Sequence, residues 1–142
     1  MLVQPVDLPR RCGISASSRL SEGVLIVKVG GVIDLATAPT LTDHLRAALA
    51  SAPPALIIDV TGVEFLAAAG LEVLVSTHDA AAGATSVVVV ANGHVTCRPI
   101  TVTGVDREVP VHPTVHQALA ALGCPAVKGS ANDPARTSAV LT

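Results

Sequence analysis

Residues 56–71 read LIIDVTGVEFLAAAGL, and the way this stretch divides decides the fold. Leu56-Ile57-Ile58 runs into Asp59 and Val60, an apolar series suited to an interior strand of a parallel or mixed sheet covered by helices. Thr61-Gly62 then predicts a tight turn. After Val63-Glu64-Phe65-Leu66 come Ala67, Ala68, Ala69 and Gly70, and a helical period takes over. Leu71, Leu74, Val75, His78 and Ala82 share one face of that helix, and Gly83 is its expected stop. A helix entered through three alanines and a glycine has unsatisfied backbone N–H groups in its first turn and no side chain large enough to cover them. A partner can approach such an end closely.

Outward from this stretch, strands and helices alternate. Ile14 to Arg19 and Val24 to Val29 are strand-like and are joined by Leu20-Ser21-Glu22-Gly23, which carries the glycine of a hairpin loop. Gly30-Gly31-Val32-Ile33-Asp34 follows. Thr37, with Pro39 just inside, opens a helix whose Leu41, Leu45, Ala48 and Leu49 share a face, and Pro53-Pro54 ends it. On the far side, Ser86 to Val90 is a β-branched run short enough to be another buried strand. Residues 94–103 are ambiguous: Pro99 and the β-branched Val95, Thr96, Ile100, Thr101 and Val102 argue for an irregular or short helix. Val109 to His112 suits a last strand. Thr114-Val115-His116-Gln117 is a capping box opening a helix with Val115, Ala118, Leu119 and Leu122 inward and Gly123 at its end. The alternation gives an α/β layer fold. Residues 1–12 and 125–142 are expected to be loose tails around one domain spanning 13–124.

Composition excludes several functions. The 142 residues are one domain's worth, and half are hydrophobic. Trp and Tyr are absent and Phe65 is the sole Phe, so the core must be packed from Val, Leu, Ile and Ala. No apolar run approaches the roughly 18 to 20 residues of a membrane span, and MLVQPVDLPRR lacks the apolar region of a signal peptide, which predicts a cytoplasmic protein away from membranes. Net charge is -2 and the nine basic residues are scattered. That leaves neither a basic footprint for a nucleic-acid backbone nor aromatic platforms for bases. Cys12, Cys97 and Cys124 are far apart and read as reduced thiols rather than a redox pair or zinc cluster.

Catalytic and cofactor motifs are missing where they would be needed. The strand-to-helix turn holds alanines in place of a nucleophile elbow, and Gly30-Gly31 lacks the third glycine of a dinucleotide fingerprint. No enzyme activity and no cofactor are expected. His112 and His116 are four apart, but Pro113 and Thr114 put them on different elements, so surface histidines are a better reading than a metal pair. His78 reads as a satisfied residue at the boundary of the core. Asp34 and Asp59 each end an apolar run just before a turn, where α/β sheets place ligand-contacting residues. Both could equally accept hydrogen bonds from turn N–H groups, the better reading for Asp59. Glu64 and Glu72 flank the alanines and are candidates for polar contacts at the edge of an interface.

The order G-x-I-D at Gly31 to Asp34, then a helix, then D-V-T-G-V-x-F-L-x-x-x-G-L at Asp59 to Leu71, resembles the STAS domain of bacterial anti-sigma factor antagonists over residues 14 to 122. The resemblance implies a mixed β-sheet with helices packed mainly on one face, and a helix over 94–103. It also implies a cytoplasmic, non-catalytic regulator of transcription that binds an anti-sigma factor of the histidine-kinase-like ATPase fold and so releases a sigma factor. The nucleotide of such a pair belongs to the partner. Contact would centre on Leu66, Ala67, Ala68, Ala69 and Gly70, with Asp34, Glu64 and Glu72 around them. The family's loop reads Asp-Ser-Ser-Gly, its second serine phosphorylated by the partner. Here those positions are Ala67, Ala68 and Ala69, so the phosphosite is absent and its place is held by Ala69. Two alternatives stay open, a small-molecule sensor using the cleft near the loop and a scaffold or decoy binding other STAS proteins. The expected assembly is a monomer or weak dimer.

Overall fold

The computed structural model describes residues 13–81 and 84–123. Both predicted tails, Cys12, Cys124, Ala82 and Gly83 lie outside them. Five strands form one sheet in chain order: β1 (Ile14–Ser21), β2 (Val24–Ile33), β3 (Ala55–Leu66), β4 (Ser86–Val90) and β5 (Val111–His112). β1 and β2 are antiparallel and every later pair is parallel. The hairpin turns on Glu22 and Gly23 alone, both at positive φ (53° and 83°), the backbone that two-residue hairpin loops need to match strand twist.

Helices α1 (Ala38–Ala50), α2 (Ala68–Ala80), α3 (His94–Thr103) and α4 (Val105–Glu108) accompany the strands, and α5 (Val115–Ala121) follows β5. The larger core cluster joins Val27, Val29, Leu56, Ile58, Val87 and Val89 of the sheet to Leu41 and Leu45 of α1, Leu71 and Leu74 of α2 and Ile100 of α3. On the opposite sheet face, Val24, Ile26, Ile57, Val88 and Val90 pack with Ala118, Val115 and Leu119 of α5 and with Leu122 just past its end. Four helices on one face and one short helix on the other match the expected mixed sheet covered mainly on one side. The Thr114 hydroxyl accepts from the Gln117 N–H at 3.0 Å, and Gly123 follows at φ 75°, so both predicted ends of α5 hold.

The expected turn at Thr61-Gly62 is not a turn. β3 runs straight through it, and its pairing with β2 slips twice. Lys28 faces Asp59, Gly30 faces Gly62, and Val32 faces Phe65, so β3 gains one residue on β2 at each slip. Such one-residue insertions are β-bulges, which leave a ladder amide unpaired and bend the strand. At the first, the Asp59 carboxylate accepts from the Thr61 N–H at 3.0 Å and the Thr61 hydroxyl at 2.7 Å. The slips also explain the burial pattern. β2 buries Val27, Val29, Gly31 and Ile33 at period two, whereas β3 buries Val60, Val63 and Leu66 at period three.

Other expectations shift at their edges. β1 and β2 extend to Ser21 and Ile33. α3 spans the ambiguous segment despite Pro99, as the family resemblance implied. Thr96 and Ile100, one turn apart, anchor it inward. The short α4 was not expected, and of Val109 to His112 only Val111–His112 pairs as strand. In α2 the buried residues are Gly70, Leu71, Val73, Leu74 and Thr77, while Val75 and His78 lie at the margin. The His78 ring is not satisfied as expected: its buried Nδ1 has no hydrogen-bond partner and lies 3.7 Å from the Asp79 carboxylate, beyond hydrogen-bond length. Cys97 is a free thiol, half-buried against the larger core.

Gly31 is where the hairpin is tightest. Its φ is 92°, and a Cβ there would run into the Gly13 carbonyl oxygen. Gly31→Ala combines left-handed strain with a backbone clash and is expected to lower stability by about 2 kcal/mol or more. Thr114→Ala, which removes one helix cap, is expected to cost about 1 kcal/mol. Urea denaturation followed by circular dichroism at the peptide bands measures both, and equal losses would contradict the assignment of strain to Gly31.

Candidate partner-binding site

The carboxyl ends of β2 and β3 carry the residues singled out from the sequence. The ladder that joins these ends is extended past Leu66 by one backbone bond, from the Ala67 N–H to the Ile33 carbonyl at 2.9 Å. Ala67 is extended (φ −88°, ψ 172°) and its carbonyl accepts from the N–H groups of Gly70 and Leu71, so α2 starts at Ala68 without a side-chain cap. No acidic residue occupies the first turn of α2, which leaves the positive end of the helix dipole unneutralised locally. Ala68 is exposed, whereas Ala67 and Ala69 are half-buried and Ala69 touches the larger core.

Gly70 and Leu66 build the site from beneath. Leu66 is only 5% exposed and belongs to the core. A Cβ on Gly70 would sit 2.5 Å from Ile33 Cγ2 and 2.7 Å from Leu66 Cδ1. Glycine therefore lets α2 seat directly on the ends of β2 and β3. Both residues hold the rim in place and offer it no exposed side chain.

Asp34 orders the β2–α1 loop. Its Oδ1 accepts from the N–H groups of Ala36 at 3.0 Å and Thr37 at 3.1 Å. Thr37 does not cap α1 forward. Its hydroxyl accepts from the Asp34 N–H at 2.9 Å and donates to the Val32 carbonyl at 2.8 Å. Asp34 and Asp59 thus both serve local backbone, Asp34 beside the alanines and Asp59 at the bulge on the α5 side of the sheet. Glu64 and Glu72 are exposed as expected.

Two residues at this rim escaped the sequence reading. Leu35 is 81% exposed and Phe65, the chain's one aromatic residue, is 54% exposed. Phe65 has no place at the site by sequence alone, and it is the bulge beside Glu64 that sets it outward and Leu66 inward. Val32, its partner across the sheet, is half-buried. From Ala68, an open groove of about 370 Å³ runs between α2 and the α3–α4 segment, past Leu71, Glu72, Val75, Ser76, Thr103 and Val105. Among the described residues, no group of three or more His, Cys, Asp or Glu could hold a metal ion, and no helix is long and apolar enough to cross a membrane.

Comparison with known proteins gives this arrangement a family. The STAS domain profile matches residues 15–118. The chain is 40% identical over 97 residues to the anti-sigma-F factor antagonist RsfB of Mycobacterium tuberculosis, a match covering 68% of this chain and 80% of that protein. It superposes with TM-score 0.76, at 40% identity, on the crystal structure of an anti-sigma factor antagonist from Mycobacterium paratuberculosis, covering 83% of this chain and 99% of that one. The unphosphorylated form of the anti-sigma factor antagonist SpoIIAA shares the fold at TM-score 0.61 and 12% identity, covering 82% and 99%. The chain belongs to the STAS domain family.

Removing the Asp34 carboxylate tests its local role. Asp34→Ala is expected to cost about 1 kcal/mol, the typical worth of such hydrogen bonds, and to accelerate hydrogen exchange at the amides of Ala36 and Thr37. Asp34→Asn, which keeps one acceptor oxygen, should restore most of the protection. Unchanged exchange at both amides in Asp34→Ala would show that another group orders the loop.

Proposed function

We propose that this chain is an anti-sigma factor antagonist: it binds an anti-sigma factor through the rim around Ala67, Ala68 and Ala69, and so frees a sigma factor to direct transcription. It acts by binding and not by catalysis, in the cytoplasm where transcription takes place, as a monomer or weak dimer. The observation that carries the reading is the bare entrance to α2. It lies at the ends of β2 and β3, uncapped and walled by methyl groups, in a chain 40% identical to proteins named as antagonists. Small side chains let a partner's backbone come close, and close packing at the centre of an interface resembles that of a protein interior. The partner has the histidine-kinase-like ATPase fold and supplies any nucleotide. Asp34, Glu64 and Glu72 surround the contact, with Leu66 and Gly70 supporting it.

A carboxylate on this surface would have to be desolvated unpaired against the partner, which is costly. Ala69→Glu is expected to weaken binding to purified anti-sigma-F factor severely in calorimetry, and so is Ala68→Glu. The second variant guards against a folding defect, because Ala68 is exposed and an acid in the first turn of a helix is tolerated by the dipole. Arg46→Ala, on an exposed position of α1, should change little. Binding unaltered in both glutamate variants would remove the rim as the contact site.

Regulation follows from what the turn lacks. Phosphorylation of a hydroxyl there would add roughly 1.5 to 2 negative charges and three acceptor oxygens beside the partner face, but alanine offers no oxygen to modify. The nearby hydroxyls are poor substitutes: that of Thr61 donates to Asp59, and Ser76 lies about 10 Å along α2 from Ala69 by helical rise. Incubation with an anti-sigma kinase and ATP is expected to give no phosphate mass increment. The triple variant Ala67→Asp, Ala68→Ser, Ala69→Ser should gain one at residue 69. Stoichiometric phosphorylation of the unaltered chain would point to a relocated switch.

The groove beside α2 favours a second reading, a small-molecule sensor. A ligand that binds only the folded state raises the melting temperature by mass action, so a reproducible rise with a metabolite library would support it.

A further inference from the structure

We propose that Leu35 and Phe65 are the apolar anchors by which this rim seats on its partner, and that the partner meets them with an apolar hollow bordered by basic side chains. The inference rests on the reading of the chain as an anti-sigma factor antagonist and adds the chemistry of the surface that must face it. The chain has one aromatic side chain to place. It leaves that side chain 54% exposed at the rim, while the core is packed from aliphatic residues. Phe, Tyr and Trp are enriched at the cores of interfaces.

Leu35 is the more exposed of the two, at 81%, and it does not hang from a slack loop. The hydrogen bonds of Asp34 and Thr37 bracket it on both sides, so the backbone holding it is ordered before any partner arrives. Such preorganisation lowers the entropic cost of binding. The two anchors are contiguous with the alanine turn. Val32 pairs with Phe65 and Ile33 with Leu66, and the Ile33 carbonyl accepts from the Ala67 N–H. Leu35 and Phe65 therefore stand two residues beyond and two residues before that bond.

Charge identifies what borders the hollow. From Val29 to Asp43 and from Ala55 to Thr77 there is no Lys or Arg, while Asp34, Glu64 and Glu72 lie at or beside the turn. Complementary potentials across an interface steer association and disfavour wrong partners. A basic border on the partner complements the sign of this rim, with exposed Glu72 as its outermost carboxylate, while its hollow takes the two apolar side chains.

The experiment uses the full chain and purified anti-sigma-F factor in surface plasmon resonance. Leu35→Ser and Phe65→Ser are each expected to weaken binding roughly tenfold or more, mainly through faster dissociation. Glu72→Lys should chiefly slow association and flatten its salt dependence. Leu20→Ser, which alters a 70% exposed leucine at the hairpin end of the sheet, should bind as the unaltered chain does. Since both anchors are largely exposed, unchanged circular dichroism is expected throughout. Affinity within about twofold in Leu35→Ser and Phe65→Ser, while Ala68→Glu still abolishes binding, would overturn the anchors and leave the functional reading standing. No binding by the unaltered chain would overturn that reading and the anchors with it. A change in oligomeric state without a change in anti-sigma affinity would assign the apolar pair to self-association, and that too overturns the proposal.

Discussion

β3 is two residues longer than the stretch of β2 it pairs with, and the layout of the rim depends on that mismatch. Hydrogen bonding between the strands resumes after each slip, so Ile33 and Leu66 finish side by side. The chain can then close the Ala67 to Ile33 bond that launches α2. Without the first bulge, alternation along β3 would carry Val63 to the wrong face of the sheet; without the second, Phe65 would turn inward and Leu66 outward. Asp59 supports the first bulge by taking up the Thr61 amide. Glycine supports the region sterically, since Gly31 lies against the Gly13 carbonyl and Gly70 against Ile33 and Leu66. The rim is thus positioned by backbone geometry.

Much of the fold was legible because apolar runs and punctuation agreed. Ser86 to Val90 could be read as a buried strand from its β-branched run, and α5 from Thr114, Gln117 and the spacing of Val115, Ala118, Leu119 and Leu122. Legibility failed where two signals share one cause. Thr-Gly marks turns, but glycine also marks bulges, and periodicity in a single strand cannot separate the two. Only the register against β2 does. Pro99 misled in the other direction. Ile100, buried in the larger core, ties α3 to the sheet despite the backbone bond lost at Pro99, a tertiary effect that propensity does not contain.

The site was legible as a place and less so as a surface. The alanine run, Asp34 and the flanking glutamates could be found by position, and the structure puts them around one backbone junction. Their division of labour could not be read, because Phe65 and Leu66 differ only in which way the bulged strand turns them, and Gly70 is set by how closely α2 sits on Ile33 and Leu66. Exposure of Leu35 was equally hidden. A single apolar residue in the turn after Asp34 gives no sign of its exposure, and the Asp34 and Thr37 hydrogen bonds that fix it leave no apolar signature.

An aliphatic core with its single phenyl ring at the rim also makes the molecule optically quiet. With no Trp or Tyr, the folded chain contributes almost nothing to near-ultraviolet absorbance or intrinsic fluorescence. In a complex, any tryptophan emission belongs wholly to the other protein. Magnetically the reverse holds: Phe65 carries the chain's only phenyl ring, so the phenyl proton resonances report on the rim alone. The residue that composition made unique is thereby a built-in marker of the surface it occupies.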